Sequence, residues 1–467
     1  MKLSKYLTIL SLILALGCKE KETETAPVDV ITTSPSFEQE DVIENDIALQ
    51  WSNMTLFVAK NTKKNTPTYA SRGFGYIGLT MYESVVQGSK EYSSLEGQLN
   101  DPNMTLTLPK PDKTKEYNWV LSLNAGQASI IKNIYDPAFT TDESVRRKID
   151  SLETVIYNKY AKGLDSSTIK RSTAYGREVA KKIYEWSKTD GGDKAYTRNL
   201  PTNYTIPVGQ GFWVVPTFSQ TSSTLTSSLH PTWGNNRTFI STNQTLTVPK
   251  AITYSTLPNS DYYAQMLSVR NKKTNLTQEE REIAAWWGDD PAFTFTPPGH
   301  SYSIAQIAAK KSNAKLFKSA QSFAAVGMAI ADAFVNCWKC KYTYNAERPS
   351  SYIKAQIDPM WISFFPEPPF PAFPSGHATQ GSACATVLTQ TYGSDFAFED
   401  NSHENRADDV LLNVGFKNRR YNSFWEAAEE SAYSRFLGGI HTNHDNQTGL
   451  TEGRKVGSNV NKLKWKK

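Results

Sequence analysis

The sequence has little cysteine, little net charge and no long apolar run after its first 18 residues. Only four of its 467 residues are cysteines, which excludes a small domain stabilised by disulfides. The 51 lysine and arginine residues nearly balance 46 aspartate and glutamate residues, and a net charge of +5 is too weak and too evenly mixed for a nucleic-acid-binding surface. Aromatic residues make up 12% of the chain, so a disordered protein is excluded too.

The start of the sequence predicts export and lipid attachment. Lys2 and Lys5 accompany an apolar run at 6–16 that is too short to span a bilayer about 30 Å thick. The residues at 15–18, Ala-Leu-Gly-Cys, resemble the bacterial lipobox, in which Cys18 becomes the lipidated first residue. An ordinary secretory signal with a chance cysteine is the alternative.

We therefore expect a lipoprotein signal peptide at 1–17 and a flexible polar tether at 18–45. The mature chain is then an exported bacterial lipoprotein on the periplasmic or cell-surface side. Its only attachment to the membrane is the N-terminal lipid, because no later segment offers 18 consecutive apolar residues.

Most of the remaining chain has a helical pattern, with apolar residues recurring at three- and four-residue steps. The most apolar predicted helix covers about 314–338, and small residues along one face indicate a central core helix. Between about 191 and 260 the composition changes to Thr, Ser, Asn, Pro and Gly, which is typical of a functional loop or a crossover. We predict an all-α protein in which an N-terminal bundle (about 46–190) and a catalytic bundle (about 261–467) pack together within one helical domain (46–467).

Three short signatures with chemically useful side chains occur in order in the last third of the chain. Together they combine permanent cations, a helix-start motif and two histidines. The signatures are Lys341 with Arg348-Pro349 after six intervening residues, Pro374-Ser375-Gly376-His377, and Ser434-Arg435 followed by His441 and Asp445.

The side chains in these signatures are those expected of a site for a tetrahedral oxyanion. Lys341, Arg348 and Arg435 supply three permanent charges, and an arginine can engage two oxygens at once. Ser375 and Gly376 precede a predicted helix, whose N-terminus favours an anion. Gly376 also permits close approach of the backbone. These donors leave two opposite positions around the oxyanion for histidine chemistry.

The two histidines of the signatures have different predicted roles. His441 and Asp445 lie on one helical face, so the carboxylate can accept a hydrogen bond from one ring nitrogen and leave the other facing the anion. His377 is then available as an acid or base on the opposite side. Alone, any of these residues would more often be structural, but the set favours a site. By contrast, we expect solvated loop positions for His230, His300 and His403.

The three signatures are similar to those of the family that joins vanadium-dependent haloperoxidases with type-2 phosphatidic acid phosphatases and bacterial non-specific acid phosphatases. The resemblance implies a fold of two four-helix bundles. It further implies that His441 is the axial vanadium ligand or the phosphate nucleophile, oriented by Asp445, and that His377 is the acid-base partner. The residues that it assigns to the vanadate or phosphate oxygens are Lys341, which also polarises bound peroxide, Arg348, Ser375, Gly376 and Arg435.

Within this family, the sequence favours a bacterial, iodoperoxidase-like vanadium haloperoxidase. The chain is longer than the small acid phosphatases, it shows no membrane span, and Phe370 resembles the phenylalanine that fungal chloroperoxidases and bacterial iodoperoxidases carry in the pocket. The expected cofactor is vanadate. The expected substrates are hydrogen peroxide and a halide, iodide first and bromide second, and small organic acceptors consume the hypohalous acid.

Two other functions remain open at the level of sequence. The first is a secreted phosphomonoesterase that forms a phosphohistidine at His441 and needs no cofactor. The second is a non-catalytic, anion-binding surface lipoprotein, which is disfavoured because a binding module needs neither His377 nor His441.

Overall fold

The computed structural model describes residues 46–216, 218–219, 227–290 and 293–467. The predicted signal peptide (1–17), lipidated cysteine and tether (18–45) lie outside these residues and stay predictions. The described part is mainly helical, which confirms the predicted fold class. Its α-helices are α1 Asp46–Asn61, α2 Pro67–Glu83, α3 Trp119–Ile134, α4 Glu143–Tyr160, α5 Ser166–Ser187, α6 Ser241–Gln244, α7 Asp261–Thr274, α8 Gln278–Trp286, α9 Thr296–Lys311, α10 Leu316–Tyr344, α11 Pro349–Gln356, α12 Gly376–Tyr392, α13 Phe424–Leu437 and α14 Asn443–Asn461.

Strands contribute little to the described structure. Within the residues given above, the named strands are β1 Phe398–Asp400 and β2 Arg419–Tyr421, which pair antiparallel with Phe398 opposite Tyr421. The two strands lie between α12 and α13 in the chain. They place Asp400 against His300, near the N-terminal end of α9. The two strands have three residues each and form a short local ribbon, not a layer of the fold.

The long helix α10 is the centre of the core, as the sequence predicts. It packs against α2 on one side and against α12 on the other, and so joins the N-terminal helices to those that carry the signatures. A Cβ atom on Gly327 would lie 2.4 Å from the carbonyl oxygen of Phe74, so the close crossing with α2 requires glycine there. Although α10 is long and apolar enough to cross a membrane, 94% of its apolar window is buried in the protein, as expected for a core helix.

The segment that follows α5 is anchored to α10 by a buried carboxylate. Asp332 accepts hydrogen bonds from the backbone N–H groups of Phe239 (2.6 Å) and Ile240 (3.1 Å) and from Asn243 Nδ2 (2.8 Å). Burial raises the pKa of Asp332 to about 7. The crossover is therefore attached to the core helix, while its predicted boundaries at about 191 and 260 stay a prediction.

Close packing of α12 and α14 brings two of the three signatures together. A Cβ atom on Gly453 would lie 1.9 Å from the carbonyl oxygen of Thr379, so the two helix backbones are in direct contact. At the same ends of the helices, the Ser375 N–H donates to the carbonyl of Asp445 at 3.1 Å. The helix starts that carry the predicted site residues are thus held side by side.

Candidate active site

A cavity of about 540 Å³ opens at the starts of α12 and α14. At its polar end it is lined by Gly376, His377, Arg435 and His441. The rest of its wall is mainly apolar, a composition typical of pockets for small molecules. The apolar lining includes Leu229, Phe293, Pro297, Phe334, Trp338 and Phe370.

His441 is fixed between a carboxylate and a guanidinium. Its Nδ1 lies 3.1 Å from Asp445 Oδ2, and its Nε2 lies 3.1 Å from Arg348 Nη1. Because an ionised carboxylate only accepts and a guanidinium only donates, Nδ1 carries the proton and Nε2 carries the lone pair. Burial, followed by the charges of Arg348 and Lys341, holds the pKa of His441 well below its ordinary value. The ring is therefore neutral, the form that ligates a metal or acts as a nucleophile.

Asp445 is oriented by the helix start on which it lies. Thr442 is the N-cap of α14, and its Oγ1 accepts from the Asp445 N–H at 3.2 Å while Asp445 Oδ2 accepts from the Thr442 N–H at 3.1 Å. This reciprocal capping box holds the carboxylate that also orients His441. The spacing of Thr442 and Asp445 is a sequence signal that could have identified this second role.

Ser375 and Gly376 form the start of α12, as predicted. Ser375 is the N-cap, and its Oγ accepts from the Ala378 N–H at 3.4 Å. A Cβ atom on Gly376 would meet nothing closer than Trp338, at 3.8 Å, so packing within the protein does not require glycine. The missing side chain instead leaves room on the cavity side of a helix N-terminus, where an anion is favoured.

His377 lines the polar end of the cavity. Its Nε2 is buried and has no hydrogen-bond partner, and the ring is hydrogen-bonded to the backbone of Trp287. Because a carbonyl only accepts, the ring nitrogen that bonds to Trp287 carries the proton and the other ring nitrogen carries the lone pair. Burial and the charge of Arg435 hold the pKa of His377 well below its ordinary value, so the ring is a neutral proton acceptor.

Arg435 brings a second unpaired polar atom to the same place. Its Nη1 donates to the Trp287 carbonyl at 3.2 Å, while its buried Nε has no partner. Burial lowers its pKa to about 10, so the guanidinium stays charged at neutral pH. Buried polar atoms are nearly always paired, and one acceptor-rich anion would satisfy Arg435 while approaching His377 and His441.

Lys341 and Arg348 lie behind the cavity, against the proline-rich segment 366–374. The three Nζ protons of Lys341 go to the carbonyls of Pro371 (2.8 Å), Ala372 (2.7 Å) and Pro374 (2.7 Å). Burial lowers the pKa of Lys341 to about 7. Through its three hydrogen bonds, Lys341 holds the loop that precedes α12. Its predicted contact with an oxyanion stays a prediction.

Phe370 belongs to the cavity wall and covers these two cations. Its ring centroid lies 5.2 Å from Lys341 Nζ and 5.2 Å from the Arg348 guanidinium, distances compatible with cation–π attraction. Its ring also packs against Trp338 at 4.9 Å. Phe370 thus separates the buried charges from the open part of the cavity.

The expectation of solvated loop positions for His230, His300 and His403 is wrong. All three are buried, with at most 4% of their surface exposed. His230 bridges Thr68 Oγ1 and the Ala195 carbonyl, whereas His300 and His403 belong to a charged cluster behind Trp287. Their partners lie between 11 and 162 residues away, beyond the three- and four-residue steps of a helix, so no helical spacing predicted these contacts.

We expect the contribution of His300 to stability to depend on pH. Burial alone would lower its pKa, but Asp289 and Asp400 outweigh burial and raise it from 6.5 to about 10. The folded protein then keeps a proton that the unfolded chain releases above pH 6.5. The stabilisation is complete below pH 6.5 and is lost as pH rises toward 10, by at most about 1.4 kcal/mol per pH unit.

Urea unfolding of the wild type and of His300→Gln, at about pH 6, 8 and 9.5, measures this effect as a difference in free energy of unfolding. Subtraction at each pH cancels groups common to both proteins, such as Lys341. The difference should shrink as pH rises; a constant difference would show that His300 is neutral in the folded protein.

The site residues fit a tetrahedral oxyanion such as vanadate or phosphate. Arg435 Nε and His377 Nε2 are buried without partners, the position of a Gly376 side chain is open, and His441 Nε2 carries a lone pair. Arg348, whose pKa burial lowers only to about 10, adds positive charge directly behind. Metal coordination through a neutral imidazole and charge neutralisation by arginine are both possible with this set.

Comparisons with known proteins agree with the geometry. A family model described as the VCPO second helical-bundle domain matches residues 321–465, a range that contains all three signatures. The vanadium chloroperoxidase of Curvularia inaequalis is 28% identical over 169 residues, 27% of this chain. The match spans only 28% of that relative's length.

Solved structures extend the similarity over almost the whole chain. A crystal structure of a bacterial vanadium-dependent chloroperoxidase in the holo form has a TM-score of 0.63 at 13% identity and shows the fold alone. The crystal structure of the first bacterial vanadium-dependent iodoperoxidase has a TM-score of 0.76 and 30% identity, covering 92% of this chain and 99% of that one. Since sequence and fold agree over this length with a protein of known family, the chain belongs to the vanadium-dependent haloperoxidases, whose members use vanadate as cofactor.

Proposed function

We propose that this chain is an enzyme that oxidises halide with hydrogen peroxide to hypohalous acid, with iodide as the preferred halide and bromide as a second substrate. The observation that carries the proposal is the group of three nitrogens at the polar end of the cavity. His441 Nε2 carries a lone pair, and His377 Nε2 and Arg435 Nε are buried without partners. A site built only to bind an anion needs donors, not two neutral imidazoles.

Vanadate would be held by donors from all three signatures. His441 Nε2 would be its ligand, kept in the correct tautomer by Asp445, and Arg348 would turn from His441 toward the anion. The residues proposed for the oxygens are Lys341, Arg348, Ser375, Gly376 and Arg435. When bound, vanadate supplies a Lewis-acid centre that activates hydrogen peroxide for attack by halide.

The chain's own residues supply charge and proton transfer. Arg348 and Arg435 keep their charge at neutral pH and neutralise the anion in a dry site, where such interactions are strong. The lone pair of the neutral His377 ring accepts a proton from incoming hydrogen peroxide, and the ring returns the proton to the departing oxygen. The apolar wall around Phe370 and Trp338 limits water at this end of the cavity.

Iodide is proposed because it is the halide that is easiest to oxidise and because the similar structure is that of an iodoperoxidase. The hypohalous acid is then consumed by small organic acceptors. Phe370 in the wall does not decide between iodide and chloride, because bacterial iodoperoxidases and fungal chloroperoxidases both carry phenylalanine there.

Halide oxidation by the purified protein, with and without added orthovanadate, tests the proposal. We expect peroxide-dependent oxidation of iodide that requires vanadate, slower oxidation of bromide and the slowest turnover with chloride. Hydrolysis of a phosphomonoester is measured on the same samples. If vanadate-loaded protein oxidises no halide, while the vanadate-free protein hydrolyses the ester and is inhibited by vanadate, the chain is a phosphatase.

We also propose that the chain is an exported lipoprotein anchored through Cys18. The support is the sequence at 1–18, which lies outside the described residues. The mass of the mature N-terminal peptide decides this: it begins with a diacylated Cys18 in the proposed form and with an unmodified residue if the segment is an ordinary signal.

A further inference from the structure

A buried histidine lies between two carboxylates behind the cavity wall. His300 Nδ1 lies 2.7 Å from Asp289 Oδ2, and His300 Nε2 lies 2.7 Å from Asp400 Oδ2. All three side chains are inaccessible to solvent. Because ionised carboxylates only accept hydrogen bonds, both ring nitrogens carry protons, and His300 is an imidazolium.

Trp287 lies between this charged cluster and the residues that line the cavity. The indole of Trp287 stacks on the His300 ring with centroids 4.3 Å apart and planes 19° apart. The backbone carbonyl of Trp287 accepts from Arg435 Nη1 at 3.2 Å and from the His377 ring. One peptide carbonyl therefore bonds to both His377 and Arg435, which line the cavity.

The cluster also fixes the backbone on both sides of Trp287. Before it, Trp286 Nε1 donates to Asp400 Oδ2 at 3.1 Å, and the Trp286 carbonyl accepts from His403 Nε2 at 2.9 Å. After it, Asp289 has φ +49°, a left-handed conformation that few residues other than glycine adopt. The bond from Asp289 to His300 holds this turn in place.

We propose that His300 is a positioning residue: clamped by Asp289 and Asp400, it fixes the Trp287 carbonyl and thereby the ring of His377 and the guanidinium of Arg435. The consequence for turnover rests on the proposed function. The consequence for the His377 tautomer does not, because it concerns the protein without vanadate or halide.

A metal ion bound by the same side chains is the competing explanation. Ligand atoms of Asp289, His300 and His403 lie within 4.8 Å of one another. However, both nitrogens of His300 already hydrogen-bond to carboxylates at 2.7 Å, and His403 Nε2 donates to the Trp286 carbonyl. Asp289 Oδ1 has no hydrogen-bond partner but lies 3.2 Å from His403 Nε2. Since these histidine nitrogens are already engaged, the geometry favours the ion cluster.

Nitrogen-15 NMR of histidine-labelled, vanadate-free protein tests the positioning role directly. In the wild type, we expect His300 to be doubly protonated at neutral pH and His377 to be a single neutral tautomer. In Asp400→Asn and in His300→Gln, His377 should become a mixture of tautomers. Asp332→Asn is the matched control, since it also removes a fully buried carboxylate but lies nine residues, about 14 Å along α10, from Lys341.

Turnover and metal content complete the experiment. Asp400→Asn and His300→Gln should lower kcat for halide oxidation about 10- to 100-fold, as expected for an outer hydrogen-bond partner, while Asp332→Asn keeps both kcat and the His377 tautomer. If the His377 tautomer is unchanged in both variants, His300 does not position it. If the purified wild type contains one equivalent of a divalent metal and His300→Gln contains none, these side chains form a metal site and not an ion cluster.

Discussion

Replacing His441 by alanine is expected to abolish vanadate retention. The structure leaves the lone pair of His441 on Nε2, at the polar end of the cavity, and fixes the ring through Asp445. The substitution removes the one neutral nitrogen proposed as ligand, so the affinity should fall by about 100-fold or more. The measurement is vanadium content after gel filtration of protein loaded with orthovanadate.

His444→Ala is the matched control for this substitution. His444 is three residues further on, and its ring stacks on Phe373 with centroids 5.4 Å apart instead of lining the cavity. The control should keep its vanadium content. If His441→Ala retains as much vanadium as the wild type, His441 is not the ligand and the arginines alone hold the anion.

The second large effect is expected for His377→Ala, which should lower kcat for halide oxidation by about 10²- to 10⁴-fold, the usual contribution of a general acid-base group. Vanadium content should stay close to that of the wild type, because His377 is proposed to move a proton and not to hold the anion. Steady-state kinetics and metal analysis on the same preparation separate these two roles.

Added imidazole provides a control against simple structural damage. The cavity of about 540 Å³ is large enough to admit imidazole beside the truncated side chain. We expect imidazole to restore part of the turnover of His377→Ala and to leave the wild type unchanged. Loss of vanadium in His377→Ala, or turnover equal to that of the wild type, contradicts the acid-base role.

The sequence predicted the helical class and the central helix because both depend on local patterns. The apolar periodicity of 314–338 and its small residues correspond to α10, and glycine at Gly327 is required where α10 crosses α2. The start of α12 at Ser375-Gly376 was equally predictable, since an N-cap residue acts within one helical turn. The halide and the lipid anchor stay predictions.

The contacts of the predicted cations could not be obtained from the sequence. Lys341 donates all three protons to carbonyls of the proline-rich segment, and Arg348 donates to His441. The signatures predicted which residues form an oxyanion site but not which backbone carbonyls and side chains these residues contact in the fold. Carbonyl groups occur at every position, so only the path of the chain decides which ones a buried lysine reaches.

The His300 cluster shows most clearly which features the sequence does not predict. Asp400 lies 100 residues after His300 and Asp289 eleven residues before it, and neither spacing distinguishes His300 from a surface histidine. The sequence by itself determined the helices, the three signatures and the arginine charges of the predicted oxyanion site, because spacing and residue type act locally. Only the tertiary structure decided which histidines are neutral, which is an imidazolium and which carbonyl orients them, because protonation depends on burial and on partners that the fold brings together.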